Sequence, residues 1–249
     1  MLRFLTAGES HGPALTVILE GVPARVPVDR ALLDADLARR QGGYGRGGRM
    51  KIETDRVEVL SGIRHGLTLG SPITLQVTNR DHENWSDVMS PDPQPDGARE
   101  RRRLKHPRPG HADLAGAMKY LTHDLRNILE RASARETTAR VAAGGIARAL
   151  LEAAGVEIRS HVTQIGDSAL QPGRAVEWNE LSAVEDSPVR CVDAEIGGRM
   201  IATIDAAKKR GDSVGGTFEV VVRGLPPGLG AFAHWDRRLD GRIAQALMS

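Results

Sequence analysis

Five of the eight residues from Gly42 to Arg49 are glycine. Neither a helix nor a sheet interior runs through such a stretch, since each glycine inside a helix costs about 1 kcal/mol relative to alanine. The segment is therefore a loop, and it fixes how its neighbours are read. Upstream, Pro27 and Asp29 precede Leu32, Leu33 and Leu37, which share one face of a helix expected to stop at Gln41. Leu2 to Ala7 and Leu15 to Leu19 read as strands around a turn-prone Gly8 to Pro13, and Val57 to Leu60 and Ile73 to Val77 read as two more.

The polar, proline-rich residues 79–108 form a long connection, a length that is usually functional or disordered. Beyond it, Asp113 opens one long helical pattern through Met118, Leu121, Leu125, Ile128 and Leu129. A second helix is expected from Glu136 to Ala154, closed by Gly155. Val156 to Val162, Val189 to Val192 and Thr217 to Val222 suggest strands, and Ala194 to Arg210 and Leu239 to Met248 suggest helices. The pattern is α+β, without a regular βαβ rhythm, and residues 1–249 are read as one domain.

Only 3% of the residues are aromatic, so the core must rest on Leu, Val, Ile and Ala, and 40% hydrophobic with 27% charged residues suits a soluble globular chain. The formal net charge of +2 does not by itself suggest a polyanion-coating protein, and nucleic acid is not an expected partner. Arginines nevertheless cluster at Arg39 to Lys51, Arg99 to Arg108 and Arg126 to Arg140. The sole cysteine, Cys191, cannot form an internal disulfide and reads as a small buried residue. No signal peptide or membrane-spanning window is visible, and a cytoplasmic location is expected.

Four segments could carry chemistry. Gly8-Glu9-Ser10-His11-Gly12 satisfies the G-x-S-x-G spacing of a hydrolase nucleophile elbow, but a strand rather than a helix is expected next, so a hairpin turn is the plainer alternative. The Gly-Arg loop suits an anion nest with Arg40, Arg46 and Arg49 as donors, an RNA contact, or a solvated turn. Arg108-Pro109-Gly110-His111-Ala112-Asp113 places His111 near a helix N-terminus, where the helix dipole favours anions; a histidine that only caps local backbone is the alternative. In Arg131 to Thr137, Ser133 and Glu136 have capping-box spacing, and the flanking Arg131 and Arg135 suit a phosphate. No metal-ligand spacing and no dinucleotide-binding glycine motif occur.

Taken in order, GESHGPAL, RRQGGYGRGGRMKIETD, HPRPGHADLAGAMKY and RASARETTARVAAGGIAR resemble the signature blocks of the chorismate synthase family, and GDSVGGTFEVVVRGLPPGLG resembles a later one. The resemblance implies a β-α-β sandwich with helices layered between antiparallel sheets, usually in a homotetramer. It implies a lyase of the shikimate pathway that converts 5-enolpyruvylshikimate-3-phosphate to chorismate by anti-1,4 elimination of phosphate, with reduced FMN required. Some members reduce the flavin themselves with NADPH. On this resemblance His11 protonates the departing phosphate with Ser10 orienting it, and His111 protonates reduced flavin near N1. Arg131, Ala132 and Ser133 contact the flavin, with Ser133 also in the catalytic group. The substrate-anion set is Ser10, Arg40, Arg46, Arg49, Arg108 and Arg135, and NADP contacts fall on Arg40 and Arg46. Family members continue beyond a point like Ser249, so a C-terminal portion with further flavin contacts and a catalytic aspartate is expected to be missing.

Overall fold

The structure is a computed structural model that describes residues 2–46, 53–93 and 102–249. Strand β1 (Arg3–Ala7) turns back into β2 (Ala14–Glu20), which leads to helix α1 (Arg30–Gln41). As expected, Asp29 caps α1, accepting from the Ala31 N–H, and Gly42 closes it. β3 (Glu58–Ser61), a small ribbon of β4 (Ile63–Arg64) and β5 (Leu67–Thr68), and β6 (Ile73–Thr78) follow. The first sheet has the order β1-β2-β6-β3, and each of its pairings is antiparallel. Alternation in β2 and β6 sends Leu15, Val17, Leu19, Ile73, Leu75 and Val77 to one buried face.

That face is covered by helix α4 (Thr137–Ala153), which also packs on α1. Gly145 permits the close approach, because a Cβ there would collide with the side chain of Leu33. On its other side α4 meets β7 (Glu157–Ile165), which pairs antiparallel with β8 (Ser168–Ala169) and β9 (Gly216–Arg223). A helix thus lies between two antiparallel sheets, the layering expected from the family resemblance. Helix α5 (Ala194–Lys209) packs on the second sheet around Leu170, Val189, Cys191 and Met200. Cys191 is buried, as expected, and burial pushes its thiol pKa up. Helix α6 (Leu239–Met248) ends the chain and leaves Ile243 and Leu247 exposed.

Three local expectations are corrected. The single long helix after Asp113 is two: α2 (Asp113–Tyr120) and α3 (Arg126–Ala132). Leu121 takes a left-handed conformation, and the Asp124 carboxylate accepts from the N–H groups of Leu104 and Arg126. Short polar side chains that bond nearby backbone compete with helix continuation. Val189 to Val192 is not a strand, because Arg190 has a φ of 54° and interrupts the extended path. The capping box is only half formed. Ser133 Oγ accepts from the Arg135 N–H, but the Glu136 carboxylate turns away to Thr6 Oγ1 and Arg140.

Candidate functional site

The β1–β2 connection holds Ser10 and His11. Gly8 has a φ of 103°, and a Cβ there would strike the Ala14 carbonyl, so the tight turn needs glycine. The element after Ser10 is a strand, so the nucleophile-elbow geometry is absent and the turn reading holds. Asn79, at the end of β6, clamps this turn by donating its side-chain amide to the carbonyls of Glu9 and Gly12.

Helix α3 supplies the facing wall. The Ser10 N–H donates to the Glu130 carbonyl at 2.9 Å, and Ser133 Oγ donates to Ser10 Oγ at 3.0 Å. The Glu130 carboxylate accepts from the His11 backbone N–H at 2.8 Å and lies 2.9 and 3.0 Å from His11 Nδ1. Arg126 Nη1 donates to Glu130 Oε1 at 3.1 Å. Burial alone would raise the Glu130 pKa, but the hydrogen bonds and charge of His11, with the bond from Arg126, outweigh it and hold the carboxyl below its usual value. The His11 ring stacks on Trp85 with centroids 3.9 Å apart, and Arg102 and Arg126 lie over the same indole. Nε2 of His11 is 4.0 Å from Asp81 Oδ2, beyond hydrogen-bond reach of that oxygen.

The arginines divide by how they are used. Arg131 donates to the carbonyls of Thr6 and Gly8, tying α3 to the first hairpin, yet its side chain remains 45% exposed. Arg40 donates to Thr137 Oγ1 and the Ala134 carbonyl and lies 3.5 Å from Asp55. Arg135 is buried, pairing with Asp55 at 2.7 Å and donating to Asn79 Oδ1 at 2.8 Å. Its guanidinium is thus engaged in the wall rather than presented to solvent. Arg46 is exposed. Arg49 lies outside the described residues. The Gly-Arg loop is docked at Tyr44, whose N–H donates to the Pro188 carbonyl and whose hydroxyl donates to Asp205.

His111 belongs to a second cluster, built within its own turn. Nε2 lies 2.9 Å from Arg108 Nη2, and Nδ1 lies 2.6 Å from Asp113 Oδ1. A guanidinium can only donate, so Nε2 accepts from Arg108 and the neutral ring carries its proton on Nδ1, towards Asp113. The hydrogen bond from the Arg108 guanidinium, with smaller help from His111, holds the Asp113 carboxyl far below the usual range, although burial opposes the shift.

Ser10, His11, Arg40, Arg131, Ala132, Ser133 and Arg135 thus occupy one continuous wall, while Arg108 and His111 form a separate cluster in the turn before α2. Glu130, Asn79, Asp55, Asp81 and Trp85 were not anticipated as site residues. Only the i,i+4 spacing of Arg126 and Glu130 was legible beforehand, and it spoke of helix stability rather than of a histidine partner. A cation-lined cavity of about 600 Å³, bordered by Arg102, Arg103, Arg126 and His123, adjoins the Trp85 side. Another of about 730 Å³ lies between α1, α4 and β7 and contains none of the expected site residues. Among the described residues no cluster of three or more His, Cys, Asp or Glu is arranged to hold a metal, and no helix is long and apolar enough to cross a membrane.

Residues 2–249 match the family model described as chorismate synthase. The chain is 59% identical to a chorismate synthase of Symbiobacterium thermophilum over its whole length and 57% identical to that of Moorella thermoacetica. It spans 64% of the length of each of these relatives. A solved structure titled as a crystal structure of chorismate synthase aligns with a TM-score of 0.79 at 43% identity, covering 99% of this chain and 66% of that one.

Proposed function

Because the chain belongs to the chorismate synthase family, we propose that its clustered turns bind 5-enolpyruvylshikimate-3-phosphate and take part in its conversion to chorismate. The reaction is an anti-1,4 elimination: phosphate leaves from C3, a proton leaves C6, a second ring double bond forms, and there is no net redox change. The observation that carries this reading is the convergence of Ser10 and His11 with Ser133 across 123 residues of sequence, beside Arg40. A substrate with one phosphate and two carboxylates suits such a setting, since guanidinium groups recognise both anions with paired hydrogen bonds.

In this reading His11 donates a proton to the departing phosphate, and Ser10 orients it. General acid help of this kind contributes about 10²–10⁴-fold. Arg46, Arg49 and Arg108 are the anion contacts, joined by Arg40, whose side chain is 8% exposed and is held by Thr137, the Ala134 carbonyl and Asp55. Arg135, bound to Asp55 and Asn79, serves by holding the wall on which Ser10 and Ser133 meet.

The donor set also fits a reduced flavin. Arg108 and His111 stand side by side before α2 with side chains 44% and 23% exposed, and Arg131 is exposed at the end of α3. Cations and imidazole at a helix N-terminus suit the phosphate and the anionic ring system of reduced FMN. Arg131, Ala132 and Ser133 would hold it, and His111 would supply the proton near N1 from Nε2 once Arg108 turns from that nitrogen to the ligand. The chemistry a reduced flavin would supply there is electron density that eases the loss of phosphate. NADPH, where the flavin is reduced by this protein itself, would meet Arg40 and Arg46. A cytoplasmic homotetramer is the assembly in which this enzyme is expected to act.

Calorimetric titration of the chain with 5-enolpyruvylshikimate-3-phosphate tests the reading. Saturable binding is expected, weakened at least about tenfold in Arg40→Ala, because loss of a charge-assisted bond to an anion is worth that factor or more. In a version extended to its relatives' length, anaerobic addition of reduced FMN should then release phosphate, and His11→Asn, whose side-chain amide can still donate to Glu130, should abolish most of that release while keeping the fold. Absence of both substrate binding and phosphate release overturns it.

A further inference from the structure

We propose that Glu130 is a positioning residue that locks the His11 proton on Nδ1 and so assigns Nε2 as the nitrogen that exchanges a proton with the ligand. The proposal rests on the reading of His11 as the proton donor to the departing phosphate and adds which atom does the work.

Three observations carry it. The Glu130 side chain is only 2% exposed, and its carboxylate grips His11 at two places, the backbone N–H and ring Nδ1. An ionised carboxylate accepts hydrogen bonds and cannot donate them, so Nδ1 must be the donor. The additional bond from Arg126 favours the ionised form. Trp85, stacked at 3.9 Å with an interplanar angle of 29°, covers one face of the ring and hinders the flip that would exchange the two edges. The hairpin itself is also tied to the same residue, since the Ser10 N–H donates to the Glu130 carbonyl. One glutamate on α3 thus sets the height of the turn, the rotation of the imidazole and the location of its proton.

The chemical consequence concerns recovery after each turnover. A histidinium held in this way gives up the Nε2 proton and keeps the Nδ1 proton. It returns to one defined neutral tautomer, ready to take a proton again at the same atom. Without the carboxylate, the neutral ring divides between two tautomers, and one of them carries the remaining proton on the wrong nitrogen.

The test is ¹⁵N NMR of the histidine-labelled 249-residue chain, with His11 assigned by its loss in His11→Asn. In the wild-type chain neutral His11 is expected as the Nδ1–H tautomer by at least about tenfold, the preference that a charge-assisted hydrogen bond supplies. In Glu130→Gln, whose amide donates as well as accepts, that preference is expected to fall about tenfold or to invert, while the His111 signals stay in place. An even mixture or a dominant Nε2–H form in the wild-type chain overturns the proposal, as does an unchanged preference in Glu130→Gln. Should that variant not fold, the wild-type tautomer decides by itself. Neither substrate nor flavin is present in this measurement. A chain that shows the Nδ1–H tautomer but binds no substrate would retire the functional reading and leave the Glu130 geometry standing.

Discussion

The two histidines illustrate opposite ways of building a site. His111 takes its partners from its own turn: Arg108 is three residues back and Asp113 two residues ahead. His11 takes its carboxylate from 119 residues away and stacks on Trp85, which follows β6 in the chain. The first arrangement is a property of a hexapeptide and a helix N-terminus. The second exists only once β1, β2, β6 and α3 have assembled, and it therefore depends on the bonds that hold those elements together.

That contrast can be broken most forcefully at Arg135. It is buried with Asp55 and Asn79, and Asn79 in turn holds the turn that carries His11. Arg135→Ala is expected to destabilise the fold by about 3–5 kcal/mol, since it strands a buried carboxylate. Arg108→Ala removes a side-chain partner of the buried Asp113, but the Arg108 backbone N–H and His111 still satisfy that carboxylate, so a smaller loss of about 1–3 kcal/mol is expected. Denaturant unfolding of both variants measures the difference, and equal losses would mean that the His111 turn is as dependent on tertiary structure as the His11 wall.

Acid sharpens the comparison with a smaller effect. Both Glu130 and Asp113 have carboxyl pKa values below their ordinary ones in the folded chain. A depressed folded value means that the stabilisation is present above the unfolded pKa and is lost as pH falls through the folded one. Asp113 is shifted much further, so its contacts should persist to lower pH than those of Glu130. Carboxyl-resolved NMR titration should show Glu130 protonating first; the reverse order would contradict the charge arrangement around both groups.

The smallest expected effect is at Ser133, which accepts from the Arg135 N–H and donates to Ser10 Oγ. Ser133→Ala should cost about 1 kcal/mol, the usual value of a lost cap. A thermal unfolding shift several times larger would show that the serine pair binds the hairpin to α3 more tightly than an ordinary cap does.

Much of the secondary structure was legible because local rules decided it. Asp29 and Gly42 bound α1 as their side-chain chemistry requires, and the alternating residues of β2 and β6 paired as expected. The errors fell where nonlocal or short polar contacts overrode apolar spacing. Asp124 ended α2's continuation by binding Leu104 and Arg126, and Glu136 left its box for Thr6 and Arg140. The family blocks drew attention to Ser10, His11, Arg40 and Ser133, but carried no sign of which of the arginines would be exposed and which enclosed.

The family, the mixed α+β class, the Asp29 cap and the glycine-dependent turns were written into the chain locally, because these follow from residues within one or two turns; so was the placing of His111 before a helix, though not its pairing with Arg108 and Asp113. Only the tertiary structure decided that Glu130 would face His11, that Trp85 would cover its ring and that Arg135 would be enclosed by Asp55. Such pairings depend on strand order and on how closely α3 and α4 approach the first sheet. Those distances are set by packing over the entire core, and nothing in a local window specifies them.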